Sequence, residues 1–305
     1  MKNNKIKISS MELIYQCDKY CSVAKKQEVE NFLNLIIKKE FIIYRGDNYS
    51  ELQERYKGND DSINFEEKLF MLGNKAKAYW SKNRISENKI NNQSEKFIGN
   101  IFQHFNDYLE SFEDKNLNNK FKDYFSKNSN KEIFISSIMK LKQKEILSIR
   151  DYYLFLLHQI EIKRFNKSSF CLSTSRELEI AKECENGIIF VGWIPSDDKF
   201  YISFEKAKKV VENNKFPTSK RPYSEEGERT LKGGLLPHFL LGYILTEEKK
   251  FIVNPNFFIE NNDKEKIANN GMVIDQTDFN KVIKNTNLGA GYWIYNRVNA
   301  IDEEY

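Results

Sequence analysis

The 305-residue chain lacks the features that announce several large classes of protein. No apolar run reaches the roughly 18 residues that a helix needs to cross a bilayer, and Met1-Lys2-Asn3-Asn4-Lys5 leads into polar sequence rather than a secretory leader. A soluble, cytoplasmic protein with no membrane partner is therefore expected. Cysteine is scarce: Cys17, Cys21, Cys171 and Cys184 form two loose groups without the paired C-x-x-C spacing of a zinc site. Reduced structural thiols are expected, and no metal. The three histidines, His104, His158 and His238, are scattered among apolar neighbours, which favours packing over ligation or base catalysis. Neither sign of charge dominates, with 48 Lys and Arg against 44 Asp and Glu for a net +4. Such interspersed charge is weak support for nucleic acid and unlike the clustered excess of a dedicated nucleic-acid-binding domain. Internal repeats are also absent, which excludes a solenoid.

Present in quantity are apolar and aromatic residues, at 40% and 14% of the chain, enough to bury a substantial core. Val29, Phe32, Leu33, Ile36 and Ile37 recur at helical spacing, and Phe41-Ile42-Ile43-Tyr44 reads as a strand ended by a turn at Arg45-Gly46-Asp47. Between about 60 and 160 the pattern is helical. Helices are predicted near 63–80, 97–112, 131–147 and 150–163, the second capped by Ser94. Beyond 165 the chain turns β-rich. Strands are predicted at Ser169 to Leu172, Ile188 to Ile194, Phe200 to Phe204, Thr230 to Leu236, Phe239 to Leu245 and Phe251 to Val253, with two more between Gly271 and Tyr295. Helices are predicted across Arg176 to Cys184 and Phe204 to Asn213. Helices grouped before antiparallel-looking strands indicate an α+β fold.

Three short motifs carry chemistry: Tyr44-Arg45-Gly46, Phe170-Cys171-Leu172-Ser173-Thr174-Ser175 and Glu226-Gly227-Glu228. Taken singly, each has a plain explanation. Thr174 with Glu177 forms a capping-box pattern, Arg45 suits a polar turn, and Glu225 to Glu228 suits a solvated acidic loop. In this order and strand context, they resemble the arginine-serine-glutamate class of ADP-ribosyltransferases, which includes many bacterial toxins. The likeness covers residues 40–60 and 160–260. It implies a split β-sandwich ADP-ribosyltransferase fold across 1–305, with its core at about 27–60 and 160–260, a helical insertion at 61–160 and a C-terminal extension at 261–305. Arg45 and Ser173 stand much farther apart in sequence than in compact relatives, which is why an insertion is expected.

The resemblance also implies the chemistry. NAD would be the co-substrate, bound by Arg45, Gly46, Tyr44, Ser173, Thr174 and Ser175. Glu228 would stabilise the positive charge that develops on the ribose as nicotinamide leaves, with Ser173 orienting its carboxylate. Glu226 would engage the acceptor, and Phe216 and Tyr223 would recognise it. That acceptor is expected to be a macromolecule, either an RNA or DNA base or a protein arginine, and an antitoxin or chaperone partner is implied for an intracellular toxin of a toxin-antitoxin or phage-defence system. Two other readings stand beside this one: an NAD glycohydrolase, and a non-catalytic nucleic-acid- or protein-binding factor.

Overall fold

The computed structural model describes residues 10–15, 22–37, 42–56, 64–70, 92–109, 117–160, 171–193, 201–221, 227–232, 234–235 and 240–255. Its elements fall into two compact units, a sheet unit formed by 1–86, 172–200 and 226–305 and a helical unit formed by 87–171 and 201–225. The helical unit thus takes in 201–225 as well as much of the stretch read as an insertion.

In the sheet unit β1 (Glu12–Tyr15), α1 (Val23–Ile36), β2 (Ile42–Asn48), α2 (Tyr49–Tyr56) and α3 (Phe65–Lys68) come first. They are followed by β3 (Cys171–Ser175), α8 (Leu178–Glu183), β4 (Gly187–Trp193), β6 (Glu228–Lys232), β7 (Leu240–Leu245) and β8 (Lys250–Val253). The strands run in the order β1-β8-β7-β4-β2-β3-β6. The sheet is mixed, because β1 pairs in parallel with β8 whereas β2, β4, β7 and β8 follow one another antiparallel. Every residue of β7 is buried, as a strand rich in Leu, Tyr and Ile with neighbours on both edges requires. Leu52, Phe70, Ile188, Tyr243, Leu245 and Ile252 share one core cluster, into which Phe70 sets its ring 5.2 Å from that of Tyr243. The buried Asn254 side chain donates to the Leu240 carbonyl at 2.6 Å, which ties the end of β8 to the start of β7.

Several boundaries differ from the sequence expectation. Arg45-Gly46-Asp47 is not a turn: β2 continues through it to Asn48, its residues paired in register with Ile188 to Phe190 of β4. Pairing with a neighbour outweighs the local turn preference of Gly and Asp. Likewise β3 runs through Ser173-Thr174-Ser175, and the helix after it starts only at Leu178. β6 begins at Glu228, earlier than Thr230, and β1 has no counterpart in the sequence reading. The strands expected between Gly271 and Tyr295 lie outside the described residues.

The helical unit contains α4 (Glu95–Tyr108), α5 (Asn119–Phe125), α6 (Asn130–Met139), α7 (Gln143–Ile160), the short β5 (Tyr201–Ile202) and α9 (Phe204–Asn213). Ser94 caps α4 by accepting from the Phe97 amide at 3.3 Å, as its position predicts, and Asn118 caps α5 by accepting from Phe121 at 2.8 Å. Phe102, Phe105, Phe121, Phe125, Phe134 and Tyr153 interlock in tilted and edge-to-face contacts. The break between α6 and α7 falls at residues 140–142, not near 148. No Gly, Pro or Asn marks it; the Glu145 carboxylate accepts from the Lys142 amide at 3.3 Å and restarts the helix.

Candidate functional site

The described candidate residues of the sheet unit lie on three consecutive strands of the sheet, β2, β3 and β6. β2 and β3 are antiparallel, with Tyr44 opposite Ser175. One residue on, Arg45 reaches across: its Nη1 donates to the Ser173 carbonyl at 2.8 Å. Its Nη2 stands 3.4 Å from Asp47 Oδ2. Strand alternation puts Arg45 and Asp47 on one side of β2, so the carboxylate two residues away steadies the guanidinium that the neighbouring carbonyl already holds. The Arg45 side chain keeps 31% of its surface exposed, so it is positioned without being sealed in. Tyr44, in contrast, is buried at 2% exposure.

Gly46 has a packing role in the sheet unit. A Cβ there would run into the Ala181 carbonyl and the backbone of Cys184 and Glu185, the last turn of α8. Only a residue without a side chain lets that helix end settle onto β2.

The Ser173-Thr174-Ser175 triplet divides its hydrogen bonds between two tasks. Thr174 Oγ1 donates to the Arg229 carbonyl at 2.6 Å, and the Arg176 amide donates to the Gly227 carbonyl at 3.2 Å. Together these bring residues 174–176 alongside 227–229. Ser175 Oγ accepts from the Glu177 amide at 2.9 Å. The hydroxyl turned toward the helix is therefore that of Ser175, and the capping-box role anticipated for Thr174 is replaced by a tie to β6.

Just before β6, Gly227 adopts a φ of 57°, the left-handed conformation that glycine takes at least cost. It delivers Glu228 into the strand with only 5% of its surface exposed. Thr230 Oγ1 donates to Glu228 Oε1 at 2.8 Å. Glu228, Thr230 and Lys232 occupy alternate positions of one strand face, and all three are buried. A carboxylate, a hydroxyl and an ammonium on one buried face are costly for a strand to keep, which is the pattern expected of a chemical site rather than of packing.

Sequence reasoning passed over Asp47, Thr230 and Lys232. The signal was available as two-residue spacing from Arg45 and Glu228, but it is visible only once the strands are known to extend that far. Glu226 and Tyr223, expected to meet an acceptor, lie outside the described residues. Phe216 belongs to the helical unit, where it is half-buried with its ring edge-on to Phe134 at 5.9 Å. No group of His, Cys, Asp and Glu able to hold a metal ion occurs among the described residues. No helix among them is long and apolar enough to cross a membrane.

Comparison of the chain with protein-family models, with curated proteins and with solved structures finds no match in any of the three.

Proposed function

We propose that this protein is an NAD-dependent ADP-ribosyltransferase built on the arginine-serine-glutamate plan, with a split β-sandwich core, acting on a macromolecular acceptor. The observation that carries the reading is that Arg45, Ser173 and Glu228 stand on the neighbouring strands β2, β3 and β6, with the Arg45 guanidinium on the Ser173 carbonyl at 2.8 Å. Strand pairing brings residues 128 positions apart together, and the arginine side chain adds a contact of its own across the two strands.

The donor set suits the reaction. An arginine presents five N–H groups in a planar fork, and holding Ser173 and Asp47 engages only part of it. The rest can grip a phosphate or ribose oxygen of NAD. In the transfer, the bond between the ribose anomeric carbon and the nicotinamide nitrogen breaks, and its electron pair leaves with neutral nicotinamide. Positive charge develops on the ribose, the acceptor's nucleophilic atom bonds to the anomeric carbon, and the acceptor loses a proton. Glu228 supplies the fixed negative charge for that oxocarbenium-like state, and burial strengthens its effect. Thr230 fixes one oxygen of the carboxylate, which matters because orientation governs what a fixed charge contributes. Glu226, two positions before Glu228 in the sequence, is assigned to the acceptor.

The experiment is incubation of the purified protein with NAD labelled in its adenylate half, together with total cellular RNA, DNA and protein. Label retained on one of these fractions is the expected result. Free ADP-ribose alone would replace transfer by glycohydrolysis, and neither turnover nor NAD binding would leave a binding factor.

A further inference from the structure

We infer that the helical unit is an electrostatic docking surface for a nucleic acid, whose phosphate backbone lies along the segment 214–221. The inference names the acceptor class for the transferase reading and rests on that reading only for the chemistry that follows docking.

Charge is not shared evenly between the two units. Residues 87–171 and 201–225 contain 20 Lys and Arg against 14 Asp and Glu, a net of +6, whereas the remaining segments contain 28 against 30, a net of −2. The interspersed charge of the linear sequence thus separates once the chain is sorted by unit.

Within the helical unit one segment is pinned to several helices and carries two exposed lysines. The Asn214 side chain donates to Glu145 Oε1 at 3.4 Å, the Tyr153 hydroxyl to the Pro217 carbonyl at 2.9 Å, and the Asn118 side chain to the Thr218 carbonyl at 2.6 Å. The Ser219 amide donates to the Tyr152 hydroxyl at 2.7 Å. Exposed Lys215 and Lys220 stand on this segment. Its Asn214 end is joined to the start of α7, which brings the exposed Lys140, Lys142 and Lys144 of the α6–α7 junction to it. Its middle is joined to the residue capping α5, which adds the exposed Lys120. Three stretches distant in sequence are therefore joined by hydrogen bonds, and each carries exposed lysines.

The acids nearby are largely committed. Glu145 accepts from the Lys142 amide and the Asn214 side chain, and Glu212 pairs with Lys208 at 3.7 Å. Exposed Asp123 and Glu132 remain as interruptions in the positive field.

The chemistry favours a nucleic acid over a folded protein. A protein interface needs an apolar centre to bury, and the one large hydrophobic strongly exposed among the described residues of this unit is Ile133. Lysines are point charges on long stems, suited to a row of phosphates rather than to one bidentate ligand.

The test measures binding of full-length protein to a fluorescent single-stranded RNA of mixed sequence, without NAD, across a range of salt. Three proteins are compared: wild type, Lys140→Gln/Lys142→Gln/Lys144→Gln, and a control with the same charge change in the sheet unit, Lys182→Gln/Lys249→Gln/Lys250→Gln. Wild type should bind at low salt with affinity falling as salt rises. The helical-unit triple should bind at least about tenfold more weakly, and its log affinity against log salt should flatten by ~2. The control should stay within about twofold of wild type. Absence of RNA binding at low salt, an equal loss in the control, or equally tight binding to polyglutamate or to anionic vesicles would overturn the inference. Since NAD takes no part, a failure here leaves the transfer reaction standing, and a protein that binds RNA but does not consume NAD overturns the transferase alone.

Discussion

At the scale of single residues, the two glycines in the motifs answer to different constraints. Gly227 holds the left-handed turn that introduces Glu228. Gly46 makes room for the backbone of α8, which is close enough that no side chain fits. Gly46→Ala should therefore overpack the contact and destabilise the sheet unit by about 1–3 kcal/mol, seen as a lower denaturant midpoint at unchanged slope. Wild-type stability in that variant would show that α8 does not press on β2 as described. Arg45, Ser173 and Glu228 were singled out in the sequence by the order of their motifs, since each taken alone has a plain explanation. Asp47 and Thr230 were not, because an Asp after Gly and a Thr in a strand are ordinary; only the contacts at 3.4 Å and 2.8 Å give them roles.

At the scale of elements, apolar periodicity located most helices and strands but not their ends. β2 and β3 both continue past the polar residues that appeared to stop them, because cross-strand partners satisfy the backbone there. The α6–α7 break was illegible for the opposite reason: the residues at 140–142 all tolerate a helix, and a side-chain cap from Glu145 decides the matter. Part of the aromatic richness read from composition forms the core of the helical unit. Phe125 is fully buried, with its ring 4.7 Å from those of Phe105 and Phe121 and 5.4 Å from that of Tyr153. Truncation to Phe125→Ala should cost about 3–5 kcal/mol in chemical denaturation. Ile133→Ala, at a position 58% exposed on α6, should change stability by no more than about 0.5 kcal/mol. Similar losses in both would contradict the placement of the aromatic core.

At the scale of the whole molecule, the chain visits the sheet unit three times and the helical unit twice. The sequence reading anticipated one helical interruption, between Arg45 and Ser173. It missed the second, because α9 and the segment to Arg221 lie among strands in sequence and declare their allegiance only through contacts with α7. The separation of charge into a basic helical unit and a slightly acidic sheet unit was hidden for the same reason. What joins these levels is the site on β2, β3 and β6, where a half-exposed arginine and a buried glutamate are drawn from segments far apart in the chain. The central claim is that Glu228 supplies the charge on which NAD cleavage depends. Nicotinamide release from NAD by wild type and by Glu228→Gln, in proteins matched for circular dichroism and unfolding midpoint, tests it most directly. The account predicts release by wild type and a loss of at least about 100-fold in the variant, the scale of removing one preorganised charge-stabilising group. Undiminished release by a folded Glu228→Gln protein would contradict it.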